Sequence, residues 1–154
     1  MAGKIMPEGM VFLTAMLPVS ELRGAIPLGF ALNLPLEKTV FLSFLGNLFP
    51  IPFILIFLKP VVKYLRKFLL GKKFFDWLFT RTEKKAKIVE RYEFLGLVIF
   101  VGIPLPMTGA WTGAIAASLL GMRFTKAILA ITLGIIIAEI IVTLLVLTGK
   151  IIIS

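Results

Sequence analysis

The stretch Ser20-Glu-Leu-Arg-Gly-Ala-Ile-Pro-Leu-Gly29 constrains this chain most, because it places two charges and a proline inside a run that otherwise suits hydrocarbon. From Gly9 to Pro35 every residue except Glu21 and Arg23 is uncharged, and nearly all are apolar or small. A charge at the centre of a bilayer costs about 2.5–3.5 kcal/mol on insertion scales, so such residues face a cavity or a partner and mark function. Pro18 and Pro27 flank the pair, and each removes a backbone donor. They predict an irregular tip between two short helical arms, a shape tolerated at membrane depth only where protein or a cavity covers it.

Composition sets the solvent. With 59% hydrophobic and 16% charged residues among 154, the chain lies above the roughly 45–50% apolar content of soluble domains. A single integral membrane domain over residues 1–154 is predicted, with helices as its spanning elements. The net charge of +9 does not indicate nucleic acid, because eleven of the seventeen basic residues lie between Lys59 and Arg91, amid bulky apolar neighbours. That clustering follows the positive-inside rule and suits anionic headgroups. Cys and His are absent and the one Asp is Asp76, so no thiolate or imidazole metal site, Ser-His triad or paired-Asp centre can be assembled. Neither an enzyme nor a cofactor or metal protein is expected.

In chain order, the arm Met10–Leu17 is too short to cross, since a crossing helix needs about twenty apolar residues. With its partner arm to Leu34 it reads as a re-entrant hairpin. Thr39–Leu58 carries no charge and crosses once, kinked by Pro50 and Pro52. Residues 59–93 alternate basic and apolar side chains and predict an amphipathic connector on the cytoplasmic face, with a helix start at Pro60, a break at Gly71 and a cap at Thr82. Phe94–Met122 is uncharged but cut by Pro104 and Pro106, which predicts a second re-entrant hairpin. Ala127–Gly149 crosses with Glu139 near its middle.

The halves, repeat A over 9–58 and repeat B over 94–149, resemble each other. Arg23-Gly24-Ala25 parallels Thr108-Gly109-Ala110, Lys38 parallels Lys126, and Gly46 parallels Gly134. One true crossing between the hairpins makes the repeat inverted, as in many secondary transporters. Both termini are then expected outside and the connector inside.

The strings Glu21–Gly29 and Ile103–Ala114 resemble the two signatures of the small multidrug export family of bacteria and archaea, although Met107 stands where glycine is expected. More distantly, the paired hairpins resemble the DedA/VTT superfamily of lipid-handling membrane proteins. That second resemblance implies movement of an anionic lipid such as polyprenyl phosphate, coupled to protons or sodium.

The site residues follow from chemistry. Arg23 offers a planar fork for phosphate or carboxylate, and half-helices starting near Gly24 and Gly109 offer free N–H groups to an anion. A salt bridge to Glu21 or Glu139 is the other use open to Arg23. Thr108, Trp111 and Thr112 either line a substrate path with Gly24 and Gly109 or satisfy broken backbone. Glu21 and Glu139 are the candidate proton- or ion-coupling acids, and Pro18, Pro27, Pro104 and Pro106 the candidate hairpin breakers. The leading expectation is an ion-coupled transporter of an anionic amphiphile in the plasma membrane, homodimeric because so small a chain shields its charged tips poorly from lipid. Export of hydrophobic cations, lipid scrambling and a scaffold for membrane-protein insertion are the competing functions.

Overall fold

The computed structural model describes residues 6–68 and 86–153. Among them all regular structure is helical: α1 (Pro7–Met16), α2 (Glu21–Ala31), α3 (Leu36–Leu48), α4 (Pro50–Phe68), α5 (Ala86–Gly102), α6 (Ala110–Leu119) and α7 (Phe124–Ile153). Residues 69–85 of the connector, with the expected break at Gly71 and cap at Thr82, lie outside the described residues.

Local chemistry sets the helix ends. Pro7 occupies the first turn of α1, where its missing N–H is not needed, with Glu8 beside it at the positive end. Leu17 ends α1 in an extended conformation (φ −74°, ψ 141°), as the residue before a proline should. At the far end of α2, Asn33 turns left-handed (φ 57°). Leu34 N–H then donates to Gly29 O at 3.0 Å and Asn33 N–H to Phe30 O at 3.1 Å, the paired reversal of a Schellman cap. α6 closes the same way around Gly121 (φ 69°), with Met122 N–H on Ala117 O at 3.0 Å and Gly121 N–H on Ser118 O at 3.2 Å. Asn33 and Gly121 are as far apart in sequence as Leu36 and Phe124, which start the next helices, and as Lys38 and Lys126. Matching the halves on these ends pairs Glu21 with Gly109. This corrects the register that set Arg23 against Thr108, which rested on a shared Gly-Ala dipeptide.

α3 and α4 follow one path with an interruption at Phe49, which keeps helical dihedrals (φ −54°, ψ −47°). Pro50 and Pro52 cannot donate to Gly46 and Leu48, and the interruption falls where those bonds are lost. Leu36–Tyr64 and Phe124–Ile153 are both long and apolar enough to cross a membrane. Two expectations need correction. Pro60 starts no new helix but lies exposed inside α4, because its fixed φ suits a helix and only one ladder bond is lost. Residues 86–93 likewise belong to α5, so the second half has no helix boundary at 93.

α1 packs on α2 and α3, α5 on α7, and α4 on α6, while α7 also touches α2 and α3. In a bilayer apolar burial gains little, and close packing through small residues replaces it. Ala110, Ala114, Ala117, Ala127 and Ala130 are completely buried in the larger core. A Cβ on Gly46 would come 2.5 Å from Phe12 O and 2.8 Å from Ala15 Cβ, and one on Gly134 would come 2.6 Å from Val101 Cβ. These glycines seat α3 on α1 and α7 on α5. Gly46→Ala is therefore expected to cost about 1–3 kcal/mol by forcing backbones apart. Gly149→Ala, with open space around it, should be neutral or stabilise by up to about 1 kcal/mol. Thermal unfolding of the purified variants measures both. Meanwhile the large apolar residues of α4 and α7, among them Phe53, Phe57, Ile140 and Leu145, are exposed on the outside, a surface suited to lipid.

Candidate functional site

The chain breaks between α1 and α2 at Leu17–Ser20, and between α5 and α6 at Ile103–Gly109. Pro18 lies in the first break and Pro104 and Pro106 in the second. Pro27 does not break the chain. It sits inside α2 with its ring exposed, so the helix continues past it at the cost of the bond to Arg23 O. Glu21 and Arg23 consequently lie on the first turn of α2 rather than on an irregular tip.

The two breaks meet, and four side chains join them. Trp111 N–H donates to Glu21 Oε1 at 3.3 Å, and Trp111 Nε1 donates to Met16 O at 3.2 Å. Arg23 Nη2 donates to Thr108 Oγ1 at 3.3 Å, and Arg23 Nη1 donates to Leu105 O. Glu21 is buried and holds a left-handed backbone (φ 47°), a conformation that costs a non-glycine residue about 1–2 kcal/mol. Its contacts across the joint hold it there.

The start of α6 explains the position of Glu21. An N-cap side chain normally accepts from the second or third helical N–H, but the N-cap here is Gly109, which has none. Glu21 supplies the missing acceptor from another helix, at the second position, where its charge also meets the positive end of α6. Thr112 Oγ1 completes the cap by accepting Gly109 N–H at 3.0 Å. Gly109 is extended (φ 179°), so any residue could adopt its backbone. Glycine is required because an added Cβ would fall on the Glu21 carboxylate.

Beside this joint opens a cavity of about 400 Å³, lined by Pro18, Val19, Glu21 and Arg23 from the first break and by Pro106, Met107, Thr108, Gly109 and Thr112 from the second. Gly24, Trp111 and Pro104 are not in its wall. Gly24 packs near Ser20 and Thr14, and Trp111 faces Met16 instead. Thr108 Oγ1 lies 2.7 Å from Ile103 O and 2.9 Å from Leu105 O, satisfying broken backbone while it also touches the cavity. Glu139 lies elsewhere, buried on α7, and Arg23 is not its partner.

Sequence reasoning passed over Val19 and noted Met107 only as a departure from glycine, yet these apolar residues are 93% and 86% exposed at the cavity. Met107 is left-handed (φ 67°), the conformation that makes glycine natural there. Met107→Gly should raise stability by up to about 1 kcal/mol, strain relief outweighing the added freedom of the unfolded chain, whereas Met107→Ile should lower it. Unfolding temperatures of the two variants decide it. Also passed over was the stripe Thr39, Ser43 and Asn47 on α3, buried throughout. Its four-residue spacing in an apolar helix was the available signal.

Residues 21–141 match the family model described as "Putative small multi-drug export protein". That is most of the chain, and the chain belongs to this family. It is a membrane protein by this membership and by its two long apolar helices. No curated protein and no solved structure matches it.

Proposed function

We propose that this member of the small multidrug export family is an ion-coupled transporter whose substrate is an anionic amphiphile such as a lipid phosphate, bound where the two hairpin breaks meet. The observation that carries the reading is the cavity itself, whose wall combines one arginine, the start of α6 and two exposed apolar residues. An anionic head suits the guanidinium and the helix start, and an acyl or prenyl tail suits Val19 and Met107. The Glu21 carboxylate already occupies the end of α6. A substrate anion takes its place there, and Glu21, deprived of those donors, must acquire another cation or a proton. Exchange of this kind ties substrate entry to ion entry.

The architecture proposed for it is an inverted repeat of re-entrant hairpins, each followed by a crossing helix. In its favour, α1 and α2 span only 10 and 11 residues, about 15 Å each at 1.5 Å per residue, and the halves share their helix ends. The charged joint calls for a partner copy or covering protein against lipid, hence a homodimer in a multi-pass plasma-membrane arrangement. With the basic connector inside, a Gly3→Cys variant should label from outside only. Labelling from the cytoplasmic side would end the inverted arrangement.

Proteoliposome flux tests the function. Labelled polyprenyl phosphate or phospholipid should move faster than a lipophilic cation, and faster with a proton or sodium gradient than without. Gradient-driven flux of the cation alone would replace this reading with drug export.

A further inference from the structure

On α3 and α7, which pack against each other, five buried oxygen atoms have no hydrogen-bond partner: Thr39 Oγ1, Ser43 Oγ, Asn47 Oδ1, Glu139 Oε1 and Thr143 Oγ1. Thr39 and Ser43 are 0% exposed, Asn47 1% and Glu139 6%. None of the five residues lines the Arg23 cavity. Each set repeats every fourth residue, which puts Thr39, Ser43 and Asn47 on one face of α3 and Glu139 and Thr143 on one face of α7. An unpaired buried polar atom costs about 1–3 kcal/mol, and native interiors leave few. Five such atoms on two touching helices have the composition of a coordination shell.

The chemistry of the set selects the ligand. All five donors are oxygen, which excludes metals that need nitrogen or sulfur. Glu139 is the one acid among them, and among the described residues no three His, Cys, Asp or Glu side chains gather, so a divalent ion would keep uncompensated charge. A single carboxylate with neutral amide and hydroxyl oxygens balances one positive charge. Thr39 packs against Gly29 of α2, so the polar face of α3 starts at the α2–α3 contact, and α7 touches both of those helices.

We propose that the α3–α7 seam is a monovalent cation site, occupied by sodium, with Glu139 supplying the charge and Asn47, Ser43 and Thr143 the remaining oxygens. It deepens the transport reading by giving a second ion, besides the cation or proton taken up at Glu21, a place apart from the substrate cavity, and rests on that reading for its role in flux but not for its existence.

The test uses purified full-length protein in detergent, with ²²Na⁺ binding and thermal unfolding in sodium chloride against choline chloride at equal ionic strength. Saturable ²²Na⁺ binding and a higher unfolding temperature in sodium are expected. Glu139→Gln and Asn47→Leu should each weaken the affinity by about tenfold or more, while Thr143→Ser keeps it. Identical unfolding in both salts without saturable binding by the unaltered protein overturns the site, whether or not the variants fold. So does unfolding that responds to pH alone, or binding undiminished in Glu139→Gln. Sodium binding without flux of any amphiphile would leave the site standing and sink the transport reading; flux without sodium binding does the reverse.

Discussion

Glu21→Lys is expected to destabilise the protein by about 3–5 kcal/mol, the scale on which a buried charge loses its compensation, and so to leave little folded material. The lysine would place an ammonium against the positive end of α6 and beside Arg23, where the native carboxylate caps Trp111 N–H. Glu21→Gln keeps an acceptor at the same place and should lose only about 1.5–3 kcal/mol, the worth of a hydrogen bond to a charged group. A double-mutant cycle separates this joint from general damage. Gly109→Ala alone should cost about 1–3 kcal/mol, because its Cβ falls on the Glu21 carboxylate. In a Glu21→Ala background that collision is gone, and the same change should cost almost nothing. Strict additivity in unfolding free energy would show that Glu21 and Gly109 do not press on one another.

The halves of this site were unequally legible in the sequence. Pro18, Pro104 and Pro106 lie where the chain leaves the helix, each disfavouring the helical region in the residue before it. Pro27 and Pro60 look the same in sequence, yet both sit on exposed helix faces where the ring meets no neighbour and one lost ladder bond is tolerated. The importance of Glu21 and Arg23 was readable from charge in an apolar run, but their partners were not. Trp111, Leu105 and Thr108 lie more than eighty residues away, and no local pattern says that a glutamate on α2 will cap α6. The missing side chain at Gly109 was the hint, visible only once helix starts were known. The α3 stripe was legible in its spacing and was hidden by the strength of the apolar signal around it.

Arg23→Ala is expected to reduce anionic amphiphile flux by about 10- to 100-fold, since a charge-assisted contact is worth about 1.5–3 kcal/mol and each 1.4 kcal/mol is tenfold. Arg23 also has a structural duty, for its guanidinium is already engaged by Leu105 O and Thr108 Oγ1. Loss of flux by itself therefore would not separate a clamp from a tie. Two companions do. Thr108→Ala removes one tie and leaves the guanidinium, so flux should fall only slightly while stability drops by about 0.5–1.5 kcal/mol. Arg23→Lys keeps the charge but gives up the planar fork, so apparent affinity for the anion should weaken more than the maximal rate does. Flux that tracks unfolding temperature across all three variants would make Arg23 a strut. Flux that follows the charge and geometry at position 23, with stability varying separately, puts the anion on Arg23.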